Sequence, residues 1–444
     1  MRLLTSAVAD AVGGVLAGPD VEVAGASVDS RAISGGELFV AVRAARDGHR
    51  FIDDALAAGA AAYLSAEPAG SGTSVVVADT VVALTALGRS CRDHRLEGVP
   101  VIGVTGSAGK TSTKDLLAAA LDGPFRPAAS ERSFNNELGV PLTLLNAADE
   151  ADVVVVEMGA RGIGHIATLC QTARPTVGVV TNVGLAHTEM LGSLDGVARA
   201  KAELVESLPA EGTAVLNADD QRVAAMASVS AAAVLTFGVD GGDVQASDVA
   251  LDDELRPTFR LLTPWGSADV HLTVRGAHHA ANAAAAAAAA LAVGAPLDAV
   301  ADGLGRARLS PWRMDLVRSA DGGLVLNDAY NANPASTEAA LRSLAALPAR
   351  RRVAVLGPMF ELGEHSDSEH RRIGALARSL GIDLLVTIGA AAYGGDDVAG
   401  IGDAVALVGP VTDGDAVLVK GSRAAGLERL ASVLSGSVGR MAAW

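Results

Sequence analysis

The stretch that decides the fold runs from residue 99 to residue 121 and reads VPVIGVTGSAGKTSTKDLLAAAL. Its opening residues, Val99 to Thr105, are a short apolar run typical of a buried strand, and Asp115 to Leu121 follow a helical pattern. A glycine-rich turn lies between them. Small residues in such a turn allow backbone N–H groups to face phosphate oxygens at the start of the helix. The stretch therefore predicts a strand, a phosphate-binding loop and a helix.

The loop departs from the strict pattern G-x-x-x-x-G-K-[ST], because its first glycine would fall at Val104. Lys110 can neutralise the β- and γ-phosphates of a nucleotide, and Thr111 can ligate Mg²⁺. An ordinary strand-to-helix turn with an exposed lysine is the alternative interpretation. We predict that the loop binds the phosphates of a nucleotide, at Thr105, Gly106, Ser107, Ala108, Gly109, Lys110, Thr111 and Ser112.

Further apolar runs alternate with helical patterns on both sides of this loop. They lie at residues 38–42, 75–77, 153–156, 177–183, 324–326, 353–356, 384–388 and 416–419. Such alternation is typical of parallel sheets covered by helices on both faces. The eight alanines Ala283 to Ala290 predict a helix packed closely on a sheet. We expect an α/β protein of three domains: a small N-terminal α/β domain (1–98), a central P-loop ATPase-like sheet (99–309) and a C-terminal Rossmann-like domain (310–444).

Composition narrows the class of protein. The chain has 444 residues, a formal net charge of −16 and 3% aromatic residues. The negative charge argues against a nucleic-acid or anionic-membrane surface, since affinity for either requires clustered Lys and Arg. Two distant cysteines, Cys91 and Cys170, provide no disulfide framework and suit a reducing compartment. The N-terminus is a poor signal peptide and no segment approaches the length of a membrane span. We expect a cytoplasmic protein without stable membrane insertion.

Polar side chains follow other predicted strands, where ligands of open α/β sheets collect. Glu157 ends the run DVVVVE and can hold Mg²⁺ directly or through water, although a surface glutamate is the simpler interpretation when it is taken alone. His187 ends TNVGLAH, and a lone histidine is more often structural. In ARAKAELV the pattern is helical and places Lys201 and Glu203 on a solvated face.

Three features towards the C-terminus each allow two interpretations. Asn282 precedes the alanine run, where a helix cap is the obvious role. Arg313 in SPWRM is either an ordinary salt-bridged arginine or a cation that contacts a transferring phosphoryl group when domains close. Lys420, Ser422 and Arg423 cluster in VLVKGSR, which is either an anion site or a capped turn.

Taken in order, these motifs resemble the Mur ligase family of ATP-dependent amide-bond-forming enzymes over nearly the full chain. The family loop T-G-[ST]-x-G-K-[ST] fits TGSAGKT, so that Gly106 is its first glycine and Val104 belongs to the strand. The other six elements are EMG from Glu157, TNVGLAH, the AKAE segment at Lys201, the Asn282 segment, P-x-R at Arg313 and DAYNANP from Asp328.

Within the family, the chain is most similar to the member that joins D-Ala-D-Ala to UDP-MurNAc-tripeptide. The features that carry this likeness are DSR from Asp29, LFVA from Leu38, DGHRF from Asp47, FNNELGVP from Phe134, LGPMFELGE from Leu356 and VKGSR from Val419. The tetrapeptide D-N-P-R, usual in the member that adds the third residue, does not occur in the sequence. Ala108 stands where the family often has Asn, and VRAARDGH lacks the glycine usual before DGH.

The resemblance implies ATP, two Mg²⁺ ions and a Lys201 carbamylated by CO₂. It implies a catalytic set of Lys110, Glu157, His187, Lys201 and Arg313, and metal ligation by Thr111, Glu157, His187 and Lys201. Asn282, Arg313 and Asp328 would contact the nucleotide. Substrate contacts would come from Asp29, Ser30 and Arg31 at the UDP end, from Asn135 and Asn136 at the muramoyl-tripeptide, and from Asn331, Lys420 and Ser422 near the dipeptide or the closing interface.

The sequence leaves three alternative functions open. A P-loop small-molecule kinase would transfer phosphate to a stable product. A nucleotide-binding partner protein would have kept the fold and lost catalysis, although all five catalytic positions carry the family residue. A related ligase, which adds the third amino acid to UDP-MurNAc-dipeptide or glutamate to a folate, would share the loop. We expect a monomer.

Overall fold

The computed structural model describes residues 2–68, 70–131, 133–147, 149–186 and 188–436. Within these residues the strands form four sheets of two, five, nine and six strands. The two largest sheets consist mainly of parallel strands, and helices cover them. The predicted α/β fold class is confirmed. No helix in the described part of the chain is long and apolar enough to cross a membrane.

The N-terminal region contains the two smallest sheets. Its strands are β1 (Arg2–Leu4), β2 (Val15–Ala17), β3 (Glu22–Ala24), β4 (Ala26–Ser27), β5 (Leu38–Val40), β6 (Ala62–Ser65) and β7 (Ser74–Val76). Strand β1 pairs with β3, and the five-stranded sheet has the order β2-β7-β6-β5-β4. Its helices are α1 (Thr5–Val12), α2 (Ile52–Ala57) and α3 (Thr80–His94). Asn146 joins this region to the next, because its side chain bonds both the N–H and the carbonyl of Ala26, at 2.7 and 2.9 Å.

The nine-stranded sheet has the order β16-β15-β14-β13-β12-β11-β8-β10-β9. Its strands are β8 (Val101–Thr105), β9 (Pro127–Ala129), β10 (Val153–Glu157), β11 (Val177–Val180), β12 (Thr213–Asn217), β13 (Ala233–Gly238), β14 (Val244–Leu251), β15 (Pro257–Thr263) and β16 (Gly266–His271). The helices are α4 (Lys110–Leu121), α5 (Gly139–Asn146), α6 (His165–Ala173), α7 (Thr188–Leu191), α8 (Leu194–Glu206), α9 (Gln221–Ala224), α10 (His279–Ala292) and α11 (Leu297–Arg306).

The prediction of a parallel central sheet is correct for strands β8 to β14 and wrong for its far edge. Strands β14, β15 and β16 pair antiparallel. In β15 buried and exposed side chains alternate, as in Phe259, Arg260 and Leu261. One face of this edge is solvated, so its strands lack the continuous apolar runs that mark a doubly covered sheet.

The alanine-rich helix α10 packs on the central sheet and on α4, as predicted. All eight alanines from Ala283 to Ala290 are fully buried. Alanine allows the helix axis to come close to both neighbours, and this close approach compensates for the scarcity of aromatic side chains. The helix begins earlier than expected, at His279, so Asn282 lies inside it and the helix-cap interpretation of Asn282 is wrong.

The C-terminal sheet has the order β17-β18-β22-β19-β20-β21, and only β17 runs antiparallel to its neighbour. Its strands are β17 (Asp315–Arg318), β18 (Leu324–Asn327), β19 (Arg351–Leu356), β20 (Leu384–Ile388), β21 (Asp396–Val398) and β22 (Asp415–Lys420). The helices are α12 (Pro334–Ala346), α13 (Ser366–Ser379), α14 (Ile401–Val408) and α15 (Glu428–Leu434).

Hydrogen bonds join the central and C-terminal sheets across a cleft. The Asn333 side chain donates to the carbonyl of Ser107 in the glycine-rich loop at 3.3 Å. The Thr188 hydroxyl donates to the carbonyl of Leu362 at 3.1 Å. These contacts bring the carboxyl ends of strands from both sheets to face each other, which is where ligands bind in open α/β sheets.

Candidate active site

The glycine-rich loop connects β8 to α4, and two of its glycines are required by their surroundings. Gly106 and Gly109 have positive φ angles of 152° and 81°. A Cβ atom on Gly106 would lie 1.8 Å from the Thr181 hydroxyl, and one on Gly109 would lie 2.6 Å from the Asn282 amide oxygen. The backbone can therefore follow this path only with glycine at both positions.

Lys110 lies at the first turn of α4 and folds back over the loop. Its Nζ donates to the Gly106 carbonyl at 2.7 Å. Burial lowers the pKa of Lys110, and the positive charge of Arg313 lowers it further. The negative charges of Glu157 and Glu361 act in the opposite direction. The ammonium is thus surrounded by charges of both signs at the point where a terminal phosphate would bind.

Residues of the segment after β11 support the loop, and the sequence did not predict this role. The Thr181 hydroxyl and the Asn182 amide both donate to the Ala108 carbonyl, at 2.7 and 3.0 Å, and Ala108 N–H donates to the Asn182 amide oxygen at 2.8 Å. Both side chains belong to TNVGLAH, in which a role was predicted only for the histidine. His187 itself lies outside the described residues, so its predicted role stays a prediction.

Glu157, at the end of β10, contacts two other predicted side chains. Its carboxylate accepts from the Thr111 hydroxyl at 2.7 Å and from the Asn135 amide at 2.8 Å. Arg313 also donates to the Thr111 hydroxyl, at 2.8 Å. Hydroxyl and carboxylate oxygens are the donors that Mg²⁺ prefers, so the chemistry of this pair fits the predicted ion.

Lys201 lies in α8, and the prediction of a solvated face is wrong. Its side chain is 2% exposed, and its ammonium has no hydrogen-bond partner among the described residues. Burial and the positive charge of Lys110 lower the pKa of Lys201 well below its usual value. Glu203 is buried as well, and its carboxylate accepts from the N–H of Ala167 at 3.0 Å in the first turn of α6.

Asn282 faces the glycine-rich loop from α10, together with a histidine pair that the sequence reasoning missed. The Asn282 amide nitrogen lies 3.1 Å from His279 Nδ1. Burial lowers the pKa of His278 to about 4 and that of His279 well below its usual value, so both rings are neutral at physiological pH. Adjacent histidines at the start of an apolar helix are the sequence signal of this pair.

In the C-terminal region Asp328 and Lys420 pair with each other. The Lys420 ammonium contacts the Asp328 carboxylate and also donates to the Asn331 carbonyl at 2.9 Å. The family resemblance implied that Asp328 contacts the nucleotide and that Lys420 lies near the dipeptide. The Ser422 hydroxyl accepts from the Phe360 N–H at 3.0 Å.

A cleft of about 930 Å³ lies between the two larger sheets. Most of the predicted residues line it, namely Ser107 to Ser112, Asn135, Asn136, Glu157, Asn282, Arg313, Asp328, Asn331, Lys420 and Ser422. Of the described residues predicted for the central region, Thr105, Gly106 and Lys201 do not line it. Asp29, Ser30 and Arg31 lie elsewhere, in the N-terminal region, where the Asp29 carboxylate accepts from the Arg31 N–H at 3.0 Å.

Comparison with protein families extends over most of the chain. The Mur ligase middle domain matches residues 104–290, the Mur ligase glutamate ligase domain matches residues 312–430, and the catalytic domain of the Mur ligase family matches residues 22–97. The UDP-N-acetylmuramoyl-tripeptide–D-alanyl-D-alanine ligase of Mycobacterium tuberculosis H37Rv is 41% identical to this chain, and the alignment covers 98% of both.

The chain belongs to the Mur ligase family. The enzyme of the same name from Escherichia coli K12 is 36% identical over 97% of both chains. The crystal structure of MurF from Acinetobacter baumannii has a TM-score of 0.88 at 30% identity and covers 98% of this chain and 99% of its own. The structure of MurF from Thermotoga maritima, in complex with ADP, has a TM-score of 0.80 at 28% identity over 93% and 97% of the two chains. The predicted family is confirmed.

Proposed function

We propose that this Mur ligase joins D-Ala-D-Ala to UDP-MurNAc-tripeptide at the expense of ATP, forming a peptidoglycan precursor. The convergence of Lys110, Thr111, Glu157 and Arg313 in one cleft carries this proposal. The prediction of this ligase function is confirmed by relatives that bear the same name over almost their whole length. ATP binding agrees with the ADP complex of the Thermotoga maritima relative.

In the first step, a carboxylate oxygen of the tripeptide attacks the γ-phosphorus of ATP, and the bond to the β-phosphate oxygen breaks with release of ADP. The product is an acyl phosphate, a far better electrophile than the free carboxylate. Two anions meet in this step, so concentrated positive charge stabilises the transition state. Lys110, in the first turn of α4, and Arg313, in the linker that leads into the C-terminal sheet, both line the cleft and provide that charge.

In the second step, the amine of D-Ala-D-Ala attacks the acyl carbon. The new C–N bond forms through a tetrahedral intermediate, the C–O bond to phosphate breaks, and the nitrogen of the neutral amine loses one proton, so that the amide keeps one N–H. Asn135 and Asn136 line the cleft close to Glu157, where we place the end of the muramoyl-tripeptide. We place the dipeptide near Asn331, Lys420 and Ser422 on the C-terminal side.

Mg²⁺ would be held by Thr111 and Glu157, whose oxygens are already 2.7 Å apart. When bound, the ion neutralises charge on the phosphates and polarises them. A second ion would be held by Glu157, His187 and a carbamate on Lys201. Burial lowers the pKa of Lys201 well below its usual value and so favours the neutral amine, whose nitrogen would form a bond to CO₂ and lose one proton. The resulting carbamate is a long carboxylate, which attracts Mg²⁺ where an ammonium would repel it.

The remaining assignments complete the proposal. Asn282, beside Gly109, and Asp328 would contact the base or the ribose of ATP. Asp29, Ser30 and Arg31 would bind the UDP end of the substrate in the N-terminal domain. We retain the domain boundaries 1–98, 99–309 and 310–444, the cytoplasm as the place of action, and a monomeric state.

Phosphate release from ATP tests the proposed function. The protein is assayed with UDP-MurNAc-tripeptide and with D-Ala-D-Ala, D-Ala or a diamino acid added separately. We expect release only with the dipeptide. Release that requires UDP-MurNAc-dipeptide and a diamino acid would refute the proposal in favour of the related ligase. A phosphorylated product that persists without phosphate release would indicate a kinase.

A further inference from the structure

The turn between β10 and α6 places an arginine and a histidine on the central side of the cleft. It reads ARGIGH, residues 160–165, and directly follows the EMG motif that begins at Glu157. Arg161 and His165 are both exposed, and both line the cleft. The two reaction steps use neither residue, so the function of this turn is open.

Arg161 differs from the other cations of the cleft because its charge has no partner within the described residues. The Arg161 guanidinium forms neither a hydrogen bond nor an ion pair there. Each of the other described lysine and arginine side chains that line the cleft donates to a protein oxygen, namely Lys110, Arg313, Lys420 and Arg423. The N–H donors of Arg161 are therefore available to a ligand.

Contacts within the protein hold this turn in place and leave its side-chain donors free. The Arg161 N–H donates to His165 Nδ1 at 3.3 Å, so the proton of the neutral ring is on Nε2. Two N–H groups at the start of α6, those of Gly164 and Ala167, donate to the buried Glu203 carboxylate at 2.5 and 3.0 Å. The side-chain donors that the turn offers to a ligand are thus the Arg161 guanidinium and His165 Nε2.

The turn lies beside the place where we put the end of the tripeptide. The Gly159 N–H donates to the Asn135 carbonyl at 2.7 Å, and the Asn135 amide donates to Glu157 at 2.8 Å. Arg161 follows Glu157 by four positions, which an extended backbone spans in at most about 14 Å. The other carboxyl groups of a muramoyl-tripeptide are about six or seven bonds from the reacting one, or roughly 7–9 Å in an extended chain. Arg161 is therefore placed to reach one of them.

We propose that Arg161, together with His165, binds a carboxylate of the muramoyl-tripeptide other than the one that reacts. This inference rests on the proposed function. The D-glutamyl residue of the tripeptide has one such carboxylate, and diaminopimelate as the third residue has another, whereas lysine in that place has none. A planar guanidinium binds a carboxylate through two parallel hydrogen bonds. Binding at this group orients the substrate and leaves the reacting carboxylate free to attack ATP.

Arg161→Gln removes the charge and keeps a long polar side chain. We expect the KM for UDP-MurNAc-tripeptide to rise about 10-fold or more, as for loss of a hydrogen bond to a charged group. The KM values for ATP and D-Ala-D-Ala, and kcat, should stay within about 2-fold, because Arg161 does not touch the reacting atoms. Arg199→Gln is the matched control, because Arg199 is exposed in α8 and does not line the cleft. It should leave all four values unchanged.

Four substrates identify which carboxylate is bound. They are UDP-MurNAc-tripeptides that end in diaminopimelate or in lysine, each with D-glutamate or with its amide, D-isoglutamine. If the diaminopimelate carboxylate is bound, the wild-type protein prefers diaminopimelate to lysine, and Arg161→Gln loses that preference. If the D-glutamyl carboxylate is bound, the preference for D-glutamate over D-isoglutamine is lost instead. The tripeptide with lysine and D-isoglutamine has neither carboxylate, so its KM should be the same in both proteins.

Two results would overturn the inference. One is an unchanged KM for every tripeptide in Arg161→Gln, which would make Arg161 an ordinary solvated arginine. The other is a rise by the same factor for all four tripeptides, which would assign Arg161 to the protein structure or to another part of the substrate. A wild-type protein that releases no phosphate with any of the four tripeptides and D-Ala-D-Ala would instead refute the proposed function, so the two failures are distinguishable.

Discussion

Helix α4, which follows the glycine-rich loop, and helix α8 each carry a lysine, and the two lysines have opposite surroundings. Lys110 donates to the Gly106 carbonyl at 2.7 Å and lines the cleft. Lys201 is 2% exposed, and its ammonium has no hydrogen-bond partner within the described ranges. The loop backbone thus provides a hydrogen-bond acceptor for Lys110. The described residues around α8 provide none for Lys201.

This difference separates the proposed phosphate site, which is already formed, from the site at which we propose a modification. Loop, strand and helix are adjacent in the chain, so local geometry alone places Lys110 where we propose that the phosphates bind. Burial disfavours the charged form of Lys201 and lowers its pKa well below the usual value. The neutral amine is the form that reacts with CO₂, which is why we propose a carbamate at this lysine.

Lys110→Ala should produce the largest effect. It removes the cation that faces the terminal phosphate, and we expect kcat/KM to fall by about 1,000-fold, as for groups that stabilise transition-state charge. Phosphate release measures the effect, and added short carboxylates or amines should restore little of it. A smaller loss of activity in Lys110→Ala than in Lys201→Ala would contradict the expected order of the two lysines.

Lys201→Ala should come next, with turnover reduced about 100-fold at saturating substrates, as for loss of a charged group that acts on a metal. Lys201→Glu, or a short carboxylate added to the Ala variant, should restore part of it, since either replaces the carbamate oxygens. Arg199→Ala, at an exposed position of the same helix, is the control and should be fully active. Full activity of Lys201→Ala would contradict the carbamate assignment.

Arg313→Ala should have an intermediate effect concentrated in turnover. Arg313 contacts the Thr111 hydroxyl from the linker that leads into the C-terminal sheet, and its guanidinium stacks on Tyr330 at 4.1 Å. We expect kcat to fall about 30-fold while ATP affinity changes less than about 3-fold, because the arginine acts across the closed cleft. Arg308→Ala, exposed in the same linker, is the control. Equal losses in kcat and ATP affinity would make Arg313 an ordinary binding residue.

Gly109→Ala should produce the smallest effect of the four. The new Cβ would meet the Asn282 amide oxygen, and the φ of 81° is unfavourable for alanine. We expect ATP affinity to fall about 10-fold and the free energy of unfolding to fall by about 1–2 kcal/mol. Isothermal titration with ATP and chemical denaturation measure the two quantities.

Gly164→Ala is the control for the backbone strain alone. Gly164 has a φ of 88°, and a Cβ there would meet nothing within 4 Å. It should lose a similar amount of stability and keep its ATP affinity. Equal losses of ATP affinity in both variants would show that contact between Gly109 and Asn282 is unimportant.

The elements that could be predicted are those whose signal is local. The strand–loop–helix unit, the Ala283–Ala290 helix and the strand that ends at Glu157 follow from runs of neighbouring residues. Strands β15 and β16 were missed because one solvated face breaks their apolar runs. The prediction of a solvated face for Lys201 was wrong, because a helical pattern with two charged residues does not reveal which face of the helix packs against another helix or strand.

Site contacts between distant segments could not be predicted from patterns. Arg313 meets Thr111 across 202 positions of sequence, and Lys420 pairs with Asp328 across 92. Thr181 and Asn182 hold the Ala108 carbonyl, but in the sequence they are two ordinary polar residues after a strand.

The sequence by itself determined the order of the motifs, the phosphate loop and the family they resemble, because each depends on residue types at short, fixed spacing. Only the tertiary structure decided which lysine donates a hydrogen bond and which side chains meet in the cleft. These contacts depend on how the two sheets face each other. Burial and charge act between residues that are close in space but far apart in the sequence, so local sequence patterns do not show them.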